Sequence, residues 1–304
     1  IGSIDATTKN AIEAAGVGAA GIDGLRGPFS MMRGNISNNI NRVVWTGSLF
    51  VGVGDTSTLL TSPDGIVWTF RATTDNRQLR GVASNSAGNQ IVATSDAYVQ
   101  FSSNGTSWTK TTSGLSGDLQ GITHDGTRFI VGAYLKVFTS TNGTSWSTVT
   151  SGINDLSTKD LASTSSVIVA VGSDGGYGTG RNAKYSSWPT ANTNLTQPGH
   201  AVGVNGNGSL WVMGGYAGWI HTSTNGTSWT SRGYILGGTP TDIHFDGTYF
   251  IASISGGNVK YSTDGINWLS HIAGNDFLKV HGAASNDDVV VLVGENNKIL
   301  YATK

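Results

Sequence analysis

The chain has 304 residues, of which 12% are charged, and a formal net charge of −1. That balance supplies no clustered cationic field for nucleic acid or for an anionic membrane surface. Nine Trp, nine Tyr and nine Phe argue against a disordered polar chain, and the absence of Cys excludes disulfides, thiolate zinc sites and cysteine nucleophiles.

Residues 1–27 read as a short helix and a Gly-rich linker. Asp5 or Thr7 offers an N-cap to Asp5–Ala15, and Gly16 opens the linker. The chain begins at Ile1, which suggests a processed or truncated product. No apolar run approaches the length of a membrane-spanning helix. Residues 28–304 read as a single domain of a different character, rich in Gly, Ser, Thr and Asn.

A repeat organises that domain. Ser62-Pro63-Asp64-Gly65-Ile66-Val67-Trp68 recurs at Ser102–Trp108, Ser140–Trp146, Ser223–Trp229 and Ser262–Trp268, with a decayed copy at Tyr185–Trp188. Successive tryptophans lie 40, 38, 42, 41 and 39 residues apart. So steady a period means one supersecondary unit stacked many times. Each unit reads as four strands, a to d. In the sixth, strand a is about Asp242–Phe245, b Tyr249–Ser253, c Val259–Ser262 and d Ile266–Ser270. Asp-Gly and Asn-Gly suit the hairpin turns, because both central positions of a type I′ turn need positive φ. Four strands per roughly 40 residues is the period of a propeller blade. The expected fold is therefore an all-β propeller of four-stranded antiparallel blades, seven by preference and six as second choice. The seven units fall near 41–75, 78–112, 118–152, 157–192, 199–234, 240–272 and 278–304. The last stops after strand c, so Pro28–Asn35 is expected to supply its missing strand and close the ring.

The motif Ser-x-Asp/Asn-Gly-x-x-Trp resembles the Asp-box, or BNR repeat, of sialidase-like propellers. The resemblance implies a structural turn between the two outer strands. Asp64, Asn104, Asn142, Asn225 and Asp264 would bond amides of their own turns, and Trp68, Trp108, Trp146, Trp229 and Trp268 would pack between blades. It also implies, for a sialidase, three arginines, a Tyr–Glu nucleophile pair and an acid. Only Glu13 and Glu295 are present; Glu13 lies in the linker, and Glu295 has no evident Tyr partner. Asp287-Asp288 reads as a solvated hairpin. No catalytic residue, metal site or cofactor is expected, and the six His show no ligand spacing.

Function is expected on the face opposite the boxes, where b–c and d–a connections meet. Arg77, Tyr98, Tyr134, Tyr177, Arg181, Tyr216, Trp219 and Asn296 fall there, a set suited to stacking on sugars and bonding their hydroxyls. The segments Ser173–Asn182 and Pro189–His200 are unusually long. The whole resembles a phage tail-fibre or spike tip: a virion protein, trimeric through an N-terminal stalk, recognising a host surface glycan or outer-membrane protein. A structural filament subunit and an extracellular glycan hydrolase are the alternatives.

Overall fold

The computed structural model describes residues 38–304, apart from positions 72, 74, 97 and 113 and segments 150–156, 174–180, 184–198 and 272–278. The N-terminal helix and linker, the closing strand Pro28–Asn35, Tyr177 and the decayed box at Tyr185–Trp188 lie outside the described residues.

Seven antiparallel sheets follow one another along the chain. The first holds β1 (Ile40–Trp45), β2 (Phe50–Gly54), β3 (Leu59–Ser62) and β4 (Thr69–Phe70). The second holds β5 (Gly81–Ser84), β6 (Ile91–Thr94), β7 (Val99–Ser102) and β8 (Thr109–Thr111). The third holds β9 (Leu119–His124), β10 (Phe129–Ala133), β11 (Lys136–Ser140) and β12 (Ser147–Val149). The fourth has three described strands, β13 (Ser157–Ser163), β14 (Ile168–Ser173) and β15 (Arg181–Ala183). The fifth runs β16 (Gly199–Val204), β17 (Trp211–Gly215), β18 (Trp219–Ser223) and β19 (Thr230–Tyr234). The sixth runs β20 (Pro240–Phe245), β21 (Phe250–Ile254), β22 (Asn258–Ser262) and β23 (Leu269–His271). The seventh has β24 (Val280–Ser285), β25 (Val289–Gly294) and β26 (Ile299–Thr303). Three single-turn 3-10 segments are the helical content of the described residues. The molecule is an all-β propeller built on four-stranded antiparallel blades.

The first strand of every sheet lies innermost and packs beside the first strands of its neighbours, with β24 returning to β1. The second strands are covered on both faces, so β2, β10, β17, β21 and β25 are buried along their whole length. This is why their sequences are continuous Val/Ile/Ala/Gly runs rather than alternating ones. The core is a series of apolar seams between adjacent sheets. The seam that joins the two ends of the ring combines Ile40, Val43, Phe50, Leu60 and Trp68 with Val289, Val291, Val293 and Ile299. Each such side chain contributes about 1.5–3 kcal/mol through burial.

The repeat motif forms the turn between third and fourth strands. In the first sheet Asp64 Oδ1 accepts the amides of Ile66 and Val67 at 2.8 and 2.9 Å, and the Gly65 amide donates to Ser62 Oγ at 2.8 Å. The same bonds recur around Asn104, Asn142, Asn225 and Asp264. Burial raises the Asp264 carboxyl's pKa, but these bonds outweigh it and hold the group down at about 2. Gly143 needs φ of +72°, and a Cβ there would come within 2.8 Å of Val92. Trp68, Trp146 and Trp229 are buried in the seams to the preceding sheet, and Trp108 and Trp268 pack against theirs. One boundary differs from expectation. Ile266 and Asn267 belong to the turn rather than to the fourth strand, because Asp264 has already captured their amides. The strand begins only at Leu269.

Candidate functional site

Antiparallel connectivity divides the turns between two faces. The box turns share one face with the turns that link first to second strands. The other face carries the second-to-third turns and the crossings between sheets. On this second face the inner strands begin, and there they surround an axial opening.

A β-bulge shapes that opening. In six inner strands the register slips by one residue near the start, as between Ile40 and Arg42 opposite Gly54 and Val53. In the second sheet Arg80 and Gly81 both face Thr94. A bulge sets two successive residues against one partner and re-aims their side chains. Two stacked rings result. The outer ring, at the mouth, is Asn41, Arg80, Gln120, Lys159, His200, Thr241 and His281. The inner ring, one residue deeper, is Arg42, Gly81, Gly121, Asp160, Ala201, Asp242 and Gly282. The mouth holds a cavity of about 280 Å³, and the deeper channel one of about 270 Å³.

Three charged groups of the inner ring face the channel. Arg42 Nη1 donates to the His281 carbonyl at 2.7 Å and to the Asn41 carbonyl at 3.0 Å, while Nη2 donates to the Thr241 carbonyl at 2.8 Å. One guanidinium thus ties the first sheet to the sixth and the seventh. Asp160 is buried and accepts the Val202 amide of the next sheet at 3.0 Å. Asp242 accepts the Ala283 amide, again one sheet on, at 2.8 Å. Burial pushes the Asp160 carboxyl up to about 6; Asp242 adds to the shift and Arg42 opposes it. Burial likewise lowers His244, whose Nε2 lies 2.8 Å from Ser285 Oγ. Glycine in this ring permits close approach of neighbouring strands, for a Cβ on Gly121 would sit 2.9 Å from the Asp160 Cα.

At the mouth, burial lowers both His200 and His281. His281 Nδ1 lies 3.2 Å from the Ile40 carbonyl, and the His200 ring stands 6.4 Å from that of Tyr216. The nearby carboxylates are turned outward or engaged. Asp55 accepts side-chain amides of Asn39, Asn41 and Gln78. Asp118 meets Arg80 and Gln120, and Glu295 pairs with Lys279 at 2.9 Å.

The eight residues expected to bind a ligand do not form one cluster. Tyr134 and Tyr216 are exposed, at 63% and 58%, and flank the mouth from the third and fifth sheets. Trp219 is half-buried beside Tyr234, and Asn296 is exposed on a turn whose amide donates to Asn39 Oδ1. Arg77 lies further out and faces Asp96 at 3.7 Å. Arg181 belongs to β15. Tyr98 is a correction. It is buried, directly ahead of β7, where Val99 and Gln100 are buried with it, and Lys110 Nζ stands 4.1 Å above its ring. Glu295, the one carboxylic candidate considered for hydrolysis, is held by Lys279 beside the mouth. Among the described residues no three His, Asp or Glu side chains converge as a metal-binding set.

Arg42, Asp160 and Asp242 were not singled out by motif. Their signal is positional: aligning the seven inner strands on their following turns places all three in one column, among Gly and Ala.

No protein-family model matches the chain, and no curated protein matches it. Solved structures do match. One described as YCF48 bound to D1 peptide superposes with a TM-score of 0.73 at 16% identity, covering 91% of this chain and 97% of that one. YCF48 from Cyanidioschyzon merolae gives 0.69 at 15%, covering 91% and 98%. U3-55K gives 0.71 at 11%, covering 92% and 100%. At these identities the likeness is one of fold, and the fold is the β-propeller.

Proposed function

We propose that this chain is a non-catalytic binding propeller that engages a protein or peptide through the face where its inner strands begin. We count one blade per sheet, seven in all, each contributing one strand to the axis. The observation that carries the reading is the unlikeness of the two faces. On the box face the Ser and Asp or Asn side chains of each turn are consumed by their own backbone, and the exposed positions between Gly and Trp, Val67 and Ile266 among them, repeat from turn to turn. On the opposite face the sequence varies from sheet to sheet, Tyr134, Tyr216 and Tyr234 are exposed, and the axial mouth opens. Repeated geometry on one side and varied exposed chemistry on the other is how a scaffold presents a binding surface. That one similar propeller is described as bound to a peptide supports the choice of partner class. The non-catalytic reading rests on the axial carboxylates, each committed to a backbone amide of the next sheet.

A second reading, glycan recognition, is favoured by the same exposed tyrosines, whose rings offer stacking platforms. The virion setting and stalk-borne trimer implied by the tail-fibre resemblance draw no support from the similar structures. The test screens a peptide library and a glycan array in parallel with the full chain. Peptide hits that lose at least about tenfold in affinity on Tyr134→Ala plus Tyr216→Ala, and nothing on Thr106→Ala plus Thr227→Ala, support the proposal. Hits confined to the glycan array, or peptide hits indifferent to the tyrosines, refute it.

A further inference from the structure

The mouth ring has a chemical bias. Its seven equivalent positions include no carboxylate. Lys159 is exposed there, between Gln120 on one side and His200 on the other, with His281 across the opening. Of the surrounding acids, Glu295 pairs with Lys279, Asp96 and Asp118 share Arg80, and Asp55 keeps its charge while accepting the side-chain amides of Asn39, Asn41 and Gln78. The two acids that lie deeper on the axis, Asp160 and Asp242, are bound to amides, and Arg42 offsets one of their two charges. At the opening the donors of Asn41, Gln120 and Thr241 are taken by neighbouring acceptors, and Arg80 by Asp96 and Asp118, so an arriving anion meets Lys159, flanked by His200 and with His281 across the opening.

We propose that the axial mouth seats a carboxylate of an acidic peptide segment, a refinement that rests on the protein-binding reading above. The shape favours a carboxylate on a flexible stem. The opening is a ring of side chains about an axis, with a cavity of about 280 Å³ beneath, so a Glu or Asp side chain enters end-on. The peptide flanking it then crosses the rim, where the exposed rings of Tyr134 and Tyr216 stand. Lys159 supplies the attractive charge. His200 and His281 lie within reach of the seated group, so its arrival favours their protonated forms.

Calorimetric titration of the full chain with hexaglutamate, hexaglutamine, hexalysine and trigalacturonate tests this. Hexaglutamate is expected to bind and the other two peptides not to. Lys159→Gln is expected to weaken hexaglutamate by about tenfold, while Lys304→Gln, on the box face, leaves it unchanged. In parallel, NMR is expected to show the ring signals of His200 and His281 moving on hexaglutamate addition and those of His124 staying fixed. Equal binding of hexaglutamine overturns the inference. So does hexaglutamate binding that ignores Lys159, and so does trigalacturonate binding at these histidines when hexaglutamate does not. Absence of hexaglutamate binding from a chain that still selects neutral peptides through Tyr134 and Tyr216 removes the carboxylate site and leaves the broader proposal standing.

Discussion

Replacing Arg42 by Met keeps the length of the side chain and removes its donors and charge. Two of the three bonds lost run between sheets, to the carbonyls of His281 at 2.7 Å and Thr241 at 2.8 Å. Charge-assisted bonds of this kind are worth about 1.5–3 kcal/mol each. Water entering from the mouth returns part of that by solvating the freed carbonyls. The expected net loss is about 2–4 kcal/mol, a sizeable share of the ~5–15 kcal/mol typical of a folded domain. A second effect sets its pH dependence. Arg42 opposes the upward shift of Asp160, so without it that carboxyl rises further and its ionised form becomes more costly. The loss should therefore be larger at pH 7.5 than at pH 5. Urea unfolding followed by fluorescence of the nine tryptophans measures both. Arg71→Met is the control, since its Nε bond to Thr61 Oγ1 at 2.8 Å stays within the first sheet. A loss at pH 7.5 no greater than the control's, or one that grows on acidification, would refute the latch and its electrostatic partner together.

Three further outcomes follow from the same geometry. The folded pKa of Asp160 lies above the ordinary carboxylate value, so its contribution is fully present below about pH 4 and lost as pH rises through about 6; Asp160→Asn should flatten the stability–pH curve across that window, and an unchanged slope in urea titrations would place the dependence elsewhere. Asp264 is shifted the opposite way, so its contribution is present above about pH 4 and lost as pH falls through about 2. Asp264→Ala should cost about 1–2 kcal/mol at pH 7 and progressively less in acid, read by thermal melts. Gly121→Ala should destabilise by about 1–3 kcal/mol, because its Cβ meets the Asp160 Cα at 2.9 Å, whereas Gly126→Ala, with open space around it, tests only the strain of φ +96°.

Much of the fold was legible in the sequence because its turn chemistry is local. A Ser, an Asp or Asn, a Gly and a Trp within seven residues specify one turn, and each bond that makes it spans three residues or fewer. The binding face was legible only as a face. Tyr134 and Tyr216 lie in the turns that follow β10 and β17 and proved exposed, but Tyr98 sits in an equally turn-like setting, just after Ser95-Asp96, and is buried. What separates them is whether the turn packs against a neighbouring sheet, and that depends on partners distant in the sequence. The axial charges were hidden for a related reason. Arg42, Asp160 and Asp242 lie in three different repeats, and only ring closure brings them to one axis.

Backbone conformation gives an independent reason to place function on the mouth face. Among the described residues, six non-glycine positions have positive φ: Thr56, Ser57, Leu135, Ala217, Asn296 and Asn297. Every one lies in a turn between second and third strands, on that face. The box turns, by contrast, place glycine wherever φ is positive, as at Gly65, Gly105, Gly143, Gly226 and Gly265. A left-handed conformation costs a non-glycine residue about 1–2 kcal/mol. The chain avoids that cost in its repeated turns and accepts it at six positions beside the opening. Such strain persists where the surrounding structure fixes it and where a particular side chain or backbone donor is wanted. Asn296 shows the second case: its strained turn directs its amide onto Asn39 and leaves its side chain exposed at the rim. A face meant only to close the ring would carry glycine there, as the box face does.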